Sequence, residues 1–567
     1  MRRTMVLAWI VGVFSLSGFG CTGDGPVADK PAMPQKASLS GSVTADQPFK
    51  AAMVTARHLD MGVIYSVFTA GGAYRAVHMF PGRYELNIEK TGFTAAPQIV
   101  ELKPGENTRA NFELVADPKV DIDAQFAGSK YLVEEVQLAD YDSVYPPGPG
   151  RVLVEKTCVI CHGVNYLPGG PRNVAAWDAA IDLMMNQGQA YGVEDGASLI
   201  APDVIDVEER QVLLDYLAEN FGEDKPRRAI RIDAEMPLDE TVLAKAMYIE
   251  YELPDTPEMT NRWIQEPHFD QAGNVWFTER GFPSAMTKLD PRTGTYEDFM
   301  NPDPAGSPHG VVVHPDGSVW WAGRSVHLAR LDPATGEIKE YPVVKPGLHG
   351  HTPVLDSMNN IWFSMLPGNR IGKWNRLTDE ISLYEVPTAR ARPYGIVVDA
   401  NDQVWFAEFH VCRIGRFDPA TERFTEYPAL TEACTIRRLG VDSQGIIWFG
   451  LFSTGKLGRL DPATGEVTEY DIPTTFSEPY DTWPDADDNI WVSDGGQRGA
   501  LIRFDQQTEA FTFYPTRLRT DMPKLAITRD GAIWYSARWA ARSPATPATV
   551  GVLYPDMTKL TDLGAYY

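Results

Sequence analysis

The chain has 567 residues, of which 76 are acidic and 51 basic, so its formal net charge at pH 7 is −25. Such an acidic surface argues against nucleic acid and against anionic membranes as partners, while a basic protein partner stays possible. The hydrophobic share of 44% is that of an ordinary globular protein, and the length predicts several domains.

The N-terminus predicts export. Two arginines precede an apolar run at residues 5–14, and small residues then lead to Cys21, which is the layout of a signal peptide over residues 1–20. The junction resembles that of a bacterial lipoprotein, in which the cysteine is lipidated; plain secretion is the alternative. Residues 21–36 then form a polar tether, and a lipid on Cys21 would be the only membrane attachment. The expected location is the periplasm or the cell surface, as a membrane-anchored lipoprotein.

Residues 37–116 predict a small antiparallel β-sandwich. Apolar and polar residues alternate over residues 38–115 without a helical period, and turn sequences such as Gly71-Gly72 and Pro81-Gly82 punctuate them. These motifs resemble the carboxypeptidase regulatory-like family, a transthyretin-like sandwich. The resemblance implies a spacer or docking module.

The sharpest motif follows a linker at residues 117–147. Cys158-Val159-Ile160-Cys161-His162 has the spacing at which two thiols bond the vinyl groups of a c-type haem and the adjacent imidazole ligates its iron. Half of a zinc site, a redox dithiol and a simple disulfide are alternatives. The first lacks a second ligand pair nearby, the second lacks a thioredoxin-like context, and the third does not need His162.

The flanking residues 148–224 resemble a small class I cytochrome c domain, with the apolar run at residues 212–217 matching that family's closing helix. The family usually completes the iron coordination with a methionine. The resemblance therefore implies Met184, seven residues after Trp177, as the second iron ligand, with Met185 as the alternative; both could instead be core methionines. The implied cofactor is one covalent haem c, and the implied partner is a redox protein.

After a connector at residues 225–246, residues 247–567 predict a seven-bladed β-propeller. Tryptophans recur every 42 to 44 residues, at Trp276, Trp320, Trp362, Trp405, Trp448, Trp491 and Trp534. Each lies in the second strand of a unit of four short strands separated by turns, which is the signature of a propeller blade. A strand-like phrase at residues 248–254 precedes the first full unit and favours ring closure by an N-terminal strand. Residues 550–554 and 558–560 are further candidates for outer strands of the last blade.

The predicted fold class is therefore multidomain and mainly β. A β-sandwich is followed by a small all-α cytochrome c domain and then by the seven-bladed β-propeller.

Counting from each tryptophan predicts which side chains meet at one mouth of the propeller channel. Eleven residues back are Gln265, His309, His351, Tyr394, Arg437, Tyr480 and Pro523. Three residues forward are Glu279, Gly323, Met365, Glu408, Leu451, Asp494 and Ala537. Polar groups that converge on a concave mouth predict a ligand site, with His309, His351, Glu279 and Glu408 as candidate catalytic residues. The alternative is an ordinary solvated loop face.

Four motifs resemble the virginiamycin B lyases, over about residues 248–567. They are Pro308-His309-Gly310, Trp405-Phe406-Ala407-Glu408, Arg413-Ile414-Gly415-Arg416 and Thr425-Glu426-Tyr427. The family consists of seven-bladed propellers that open cyclic depsipeptide antibiotics by magnesium-assisted elimination, using two histidines and two glutamates. The resemblance implies a divalent cation such as Mg²⁺ at the propeller.

His309 and His351 match the family's histidine positions, but its glutamates are not matched. His349 stands at one glutamate position, and Met365-Leu366 stand at the other. Glu266-Pro267-His268 looks similar to the family's acidic motif, yet it lies three residues out of register. Elimination in the family's known form is therefore in doubt.

Cys412 and Cys434 are expected on the histidine face, in loops of adjacent blades. In an oxidising compartment we expect them to form a disulfide; two separate thiols are the alternative.

These features favour an exported c-type cytochrome that transfers electrons, with a propeller that binds a small-molecule substrate or a partner. Two alternatives stay open. One is a metal-dependent carbon-oxygen lyase of the streptogramin B lyase type, and the other is a propeller oxidoreductase that passes electrons to its fused haem.

Overall fold

The described part of the chain is mainly β-structure. The computed structural model describes residues 35–120, 136–159, 162–190, 205–231, 236–259, 262–343, 348–366, 368–432, 434–496, 499–518, 522–537 and 548–566. The expected signal peptide, Cys21 and Cys161 lie outside these residues. Among the described residues, no helix is both long and apolar enough to cross a membrane.

The N-terminal residues form the expected β-sandwich. Its strands are β1 (Ala37–Ala45), β2 (Met53–His58), β3 (Val63–Phe68), β4 (Ala73–Met79), β5 (Gly82–Glu89), β6 (Phe93–Thr94), β7 (Gln98–Leu102), β8 (Asn107–Arg109) and β9 (Phe112–Ala116). One layer has the order β4-β1-β9-β6 with β8 beside β1, and the other contains β3-β2-β5-β7. Leu39, Val54 and Leu86 are buried in the core between the layers.

The helices follow the sandwich. The elements are β10 (Gln137–Ala139), α1 (Tyr141–Val144), α2 (Pro149–Val154), a π-helical turn (Glu155–Val159), α3 (Tyr166–Gly169), α4 (Val174–Ala190), α5 (Val207–Asn220), β11 (Arg228–Ile230) and α6 (Glu240–Leu243). Residues 141–221 are called the helical segment below. Helix α5 begins at a capping box, in which Asp206 accepts from Glu209 N at 2.8 Å and the Glu209 carboxylate accepts from Asp206 N at 3.0 Å. Trp177 of α4 packs in the apolar core, and its indole donates to Phe221 O at 2.9 Å.

Seven four-stranded blades follow, as the tryptophan repeat predicted. Blades 1 to 6 are β13–β16 (Ile264–Phe269, Val275–Glu279, Ala285–Asp290, Thr295–Met300), β17–β20 (Pro308–Val313, Val319–Gly323, Val326–Leu331, Ile338–Pro342), β21–β24 (Pro353–Leu355, Ile361–Met365, Arg370–Asn375, Glu380–Glu385), β25–β28 (Pro393–Val398, Val404–Glu408, Arg413–Asp418, Arg423–Pro428), β29–β32 (Ile436–Val441, Ile447–Leu451, Lys456–Leu460, Val467–Asp471) and β33–β36 (Pro479–Pro484, Ile490–Asp494, Ala500–Asp505, Ala510–Pro515). First strands of neighbouring blades are in contact around the ring, and the ring is closed because blade 7 meets β13.

The recurring tryptophan has a structural reason. In five blades its indole N–H donates to an aspartate six residues earlier, in the turn between the first two strands, as in Trp405 to Asp399 at 2.9 Å. The same aspartate accepts backbone N–H groups of its turn, for example from Gln403 at 3.0 Å. The pair therefore holds the turn while the ring fills the space between blades.

Blade 7 is completed by a strand that precedes blade 1. Its first three strands are β37 (Leu525–Ile527), β38 (Ile533–Ala537) and β39 (Ala548–Tyr554), and β12 (Met247–Leu253) pairs antiparallel with β39 as the fourth. Of the two C-terminal candidates, residues 550–554 are in strand β39, whereas residues 558–560 are not a strand: a 3₁₀ turn covers Met557–Lys559.

Strand β12 also joins the propeller to the sandwich. Its free edge pairs antiparallel with β3, from Met247 opposite Val67 to Tyr251 opposite Val63, so blade 7 and one sandwich layer form a single eight-stranded sheet. Every residue of β12 is buried. Neither partner could leave without exposing unpaired backbone groups on that strand.

The contacts of Glu250 on β12 provide a test of how this strand closes the ring. Glu250 is buried, accepts from Arg517 Nε at 2.5 Å and from Tyr535 Oη at 3.1 Å, and so ties β12 to blades 6 and 7. We expect Arg517→Met to lower the free energy of unfolding by about 3–5 kcal/mol, because it leaves a buried carboxylate unpaired. Urea unfolding followed by tryptophan fluorescence measures this.

The matched control is Lys339→Met, which removes an ion pair with Asp379 in which both side chains are about half exposed. An exposed pair contributes at most about 1 kcal/mol. Equal losses in the two variants would contradict the role given to Glu250.

Candidate functional site

The side chains predicted for one mouth do meet at the start of the first strands. Gln265 Nε2 lies 3.2 Å from His309 Nε2. The rings of His309 and His351 are 3.7 Å apart, and that of Tyr394 is 4.2 Å from His351. Across the channel, the Tyr394 hydroxyl is 2.5 Å from that of Tyr480. We call this group the histidine mouth.

The two imidazoles are in different surroundings. His309 Nδ1 faces the carboxylate of Glu266 at 3.3 Å, while His351 Nδ1 lies 2.9 Å from Thr352 Oγ1. Burial, together with the neighbouring His309 and Arg438, holds the pKa of His351 well below its ordinary value. His351 is therefore neutral at pH 7, and a neutral imidazole can accept a proton or donate a hydrogen bond.

A layer of four charged side chains lies one residue deeper in the channel, three of them buried and the fourth, Lys524, partly buried. Each charge directly follows a mouth position in blades 1, 5, 6 and 7: Glu266, Arg438, Asp481 and Lys524, called the charged layer below. Arg438 reaches across the channel to contact the Glu266 carboxylate. The layer contains two positive and two negative charges, of which Arg438 and Glu266 form the close pair.

Burial disfavours the charged form of each group in this layer, and opposite charges nearby offset part of that cost. The pKa of Glu266 is raised by burial, against the attraction of Arg438 and Lys524. The pKa of Asp481 is likewise raised by burial, and that of Lys524 is lowered by it. Asp481 also accepts a hydrogen bond from Leu525 N at 2.8 Å, which connects blade 6 to blade 7.

Sequence reasoning missed the charged layer, although a signal for it existed. The count from each tryptophan stopped at the eleventh residue back, and the tenth holds these charges. In blades 2 and 4 the tenth position is glycine, which the close approach of the next blade requires. A Cβ on Gly310 would lie 2.9 Å from Thr352 Cα, and one on Gly395 would lie 2.6 Å from Arg438 Cα.

Glu279, a candidate catalytic residue, binds the loop that enters blade 1. Its carboxylate accepts from Trp263 N and from Gly281 N at 3.3 Å, and Arg262 lies 3.8 Å away. Burial raises its pKa to about 7, against the hydrogen bond from Trp263. These contacts assign Glu279 to holding the loop.

Glu408, the second candidate carboxylate, lies between strands of blade 4. Its Oε1 would be 2.8 Å from a Cβ placed on Gly415, so the side chain crosses the blade. Burial and, after it, the nearby Glu426 raise the pKa of Glu408 to about 8. Glu408 therefore lies near a carboxyl group of the blade's outer strand, while His309 contacts Glu266.

The positions that carry glutamate in the lyase pattern are filled differently. His349 lies among positive charges: burial first, and then Arg324 and Arg280, lower its pKa to about 4. Met365 is fully buried between blades, and Leu366 packs beside Tyr394. A carboxylate reaches the histidines instead from Glu266.

Cys412 and Cys434 form the expected disulfide. Their Cα atoms are 5.3 Å apart, and the bond joins the loop after the second strand of blade 4 to the loop that enters blade 5. The pair is buried in the apolar contact between these blades. It braces blades 4 and 5 against each other.

The helical segment packs on the face that contains the histidine mouth. Tyr141 stacks on Phe476 with ring centroids 5.6 Å apart, and Phe476 belongs to the loop that enters blade 6. Between the two parts lies a cavity of about 220 Å³, lined by Val159 and Val164 on one side and by Glu478 on the other. Glu478 is two residues before Tyr480, so the helices lie beside the mouth.

The residues of the expected haem site lie around one apolar cluster. Cys158, Met184 and Met185 are all partly buried against it, and His162 stacks on Tyr166 with ring centroids 4.1 Å apart. Cys161 lies outside the described residues. Among the residues that the structure describes, no group of three or more His, Cys, Asp or Glu side chains is arranged to hold a metal ion.

Fold and site define a β-propeller with an N-terminal β-sandwich docked on its closing blade. The family model of the virginiamycin B lyase family matches residues 244–504, and that of the carboxypeptidase regulatory-like domain matches residues 38–115. The chain therefore contains a virginiamycin B lyase-like β-propeller domain and a carboxypeptidase regulatory-like domain. Neither match extends over the helical segment.

Solved structures give the same likeness. Virginiamycin B lyase from Staphylococcus aureus is 23% identical, with a TM-score of 0.47, and the match covers 54% of this chain and 99% of that one. A streptogramin B lyase structure is 25% identical, with a TM-score of 0.47, and the match covers 55% and 97%. A comparison with curated proteins found no match.

The low pKa of His349 has a measurable consequence. Between pH 6.5 and 4 the unfolded chain binds a proton at this imidazole that the folded protein does not bind, so the free energy of unfolding falls as the pH is lowered through this range. His349→Gln should remove that part of the fall, at most about 3 kcal/mol. Urea unfolding at a series of pH values measures it.

Above pH 7 the free energy of unfolding should change with pH equally in the native protein and in His349→Gln, because both carry a neutral side chain at this position. If the pH dependence of the free energy of unfolding is also the same in both proteins between pH 6.5 and 4, the fold does not lower the pKa of His349.

Proposed function

We propose that this protein is an exported c-type cytochrome whose helical segment exchanges electrons with a redox partner protein and whose histidine mouth binds a small-molecule substrate. The observation that carries the proposal is the packing of the helical segment against the loop of Phe476 and Glu478, next to the mouth. A haem attached there would lie close to a bound substrate. The acidic net charge of −25 suits a basic redox partner and no nucleic acid.

The residues around the apolar cluster fit a haem c. Cys158 and Cys161 would attach it, His162 would ligate its iron, and Met184 or Met185 would complete the coordination. When bound, such a haem supplies one-electron transfer. The packing of Cys158, Met184 and Met185 against one apolar cluster supports this assignment, because the attachment thiol and the sixth ligand must share one pocket.

Aromatic rings connect the mouth to the helical segment. The His351 and Tyr394 rings are 4.2 Å apart, and the hydroxyl of Tyr394 meets that of Tyr480 at 2.5 Å. Tyr480 follows Glu478, which lines the cavity below the helices. This arrangement favours the oxidoreductase form of the proposal, in which a substrate held at the imidazoles gives up electrons toward the haem-bearing helices.

The chemistry at the mouth follows from the protonation states. Neutral His351 can take a proton from a substrate hydroxyl or C–H group, and the His309–Glu266 pair can hold a positive charge that forms beside it. Arg438 limits how far Glu266 can help, because its guanidinium already binds that carboxylate.

A carbon-oxygen lyase is the second candidate, and the contact of Glu266 with His309 favours it. Two imidazoles and a carboxylate could remove a proton and protonate a leaving oxygen. Mg²⁺ prefers oxygen ligands, whereas this group offers imidazoles and a carboxylate bound by Arg438, so no step is assigned to the metal. Export to the periplasm or cell surface, with a lipid at Cys21, is part of the proposal for either activity.

Protein made with intact cytochrome maturation should contain one covalent haem, visible in the mass and in the spectrum under denaturing conditions. Met184→Ala should change the haem spectrum and lower the reduction potential of the haem, because a thioether ligand raises that potential. Met185→Ala is the matched control and should leave both unchanged.

If Met185→Ala lowers the potential and Met184→Ala does not, Met185 is the ligand. If neither variant changes the potential, the methionine assignment is wrong, and absence of covalent haem overturns the cytochrome itself.

Substrate oxidation can be separated from ring opening in one titration. Candidate reductants and metabolites are added to oxidised protein while haem reduction is recorded, and a cyclic depsipeptide ester is assayed in parallel for ring opening. We expect at least one of these compounds to reduce the haem, and we expect the rate of that reduction to be at least tenfold lower in His351→Gln. Ring opening without haem reduction would support the lyase instead.

A further inference from the structure

The far half of the propeller channel holds a second cavity. Its volume is about 740 Å³, and it lies beyond the charged layer, where the first strands of the blades end. Aliphatic side chains that finish these strands line it, among them Val313, Leu355 and Val398. The volume falls within the range of small-molecule sites, about 300–1,000 Å³.

The carboxylates that border this cavity already have partners. Glu266 is bound by Arg438. Asp270 accepts from the Trp276 indole at 3.0 Å and from Asn274 N at 2.9 Å. Neither is therefore available to attract a cationic ligand.

Lys524 differs from these groups. Its ammonium lies 4.7 Å from the centroid of the Trp483 ring, and within the described residues it has no hydrogen bond or close ion pair. Asp481 and Glu266 attract it only from longer range, and burial lowers its pKa. The Lys524 side chain is only partly buried and lines the cavity, so an anion bound there could reach this ammonium and replace part of the water that the apolar walls exclude.

His268 adds a polar group to the same wall. Val313 N donates to His268 Nδ1 at 3.3 Å, and burial, with the nearby Lys524, lowers the pKa of this imidazole to about 4. The ring is therefore neutral at pH 7 and carries a single N–H group. It can donate a hydrogen bond without adding charge.

We propose that this cavity binds a small amphiphilic carboxylate, whose anionic head meets the Lys524 ammonium and whose apolar body lies against the aliphatic walls. An ammonium, a neutral imidazole and the exposed Arg529 at the rim suit one negative charge. The site is separate from the histidine mouth, because the charged layer lies between them. Only Glu266 borders both.

Titration calorimetry of the full-length protein with octanoate tests the proposal. Its neutral counterpart, 1-octanol, has the same apolar length and no charge. We expect octanoate to bind one site at least tenfold more tightly than octanol. Equal affinities, or no binding of octanoate, would overturn the proposal without bearing on the cytochrome or the lyase.

Variants locate the site. Lys524→Met should weaken octanoate binding at least tenfold, Lys524→Arg should retain it, and Lys103→Met, the same change on the exposed sandwich surface, should have no effect. Near-ultraviolet circular dichroism checks that each variant is folded. Unchanged binding in Lys524→Met, or an equal loss in Lys103→Met, would show that octanoate binds elsewhere.

Discussion

The architecture depends on one strand, Met247–Leu253, which hydrogen-bonds on both edges. One edge completes blade 7 and closes the ring, and the other carries the β-sandwich as an extension of the same sheet. A propeller must close or leave an exposed strand edge, and this chain closes it with residues that precede the first blade. The buried contact between Glu250 and Arg517 fixes that strand against the neighbouring blades. The closed ring, the attachment of the sandwich and the geometry of the histidine mouth therefore all depend on this one strand.

A closed ring brings the first strands together, and this makes the channel chemistry possible. Residues from blades 1, 5, 6 and 7 form a balanced set of two carboxylates and two cations across the axis, with Arg438 bound to Glu266. On one side of this layer lie paired imidazoles, and on the other an apolar cavity with an ammonium at its inner end. Arg438 and Glu266 neutralise each other in direct contact, whereas Asp481 and Glu266 attract Lys524 only from longer range. The two halves of the channel are chemically different.

The helical segment makes this chain differ from a propeller with a histidine mouth alone. Its packing against the loop of Phe476 and Glu478 puts the cluster around Cys158, Met184 and Met185 beside the mouth rather than at a distant end of the molecule. Under the proposed function, a short separation between substrate and haem is what the fusion achieves. The disulfide between Cys412 and Cys434 braces blades 4 and 5 against each other.

Much of this protein could be read from periodic residues. The tryptophan period predicted seven blades, since each indole is held by an aspartate six residues before it in most of them, and the same count predicted that His309 and His351 meet. Local spacing could not tell that Glu279 turns to the backbone of Trp263, that Glu408 lies near Glu426, or that Glu266, outside the family register, reaches His309. Side-chain direction and cross-channel contacts depend on how distant blades pack. The sequence by itself determined the repeats, the Cys-x-x-Cys-His motif and the mouth positions, because these follow from spacing along the chain. Only the tertiary structure decided which carboxylate faces the histidines and where the helices lie, because both depend on contacts between segments far apart in sequence.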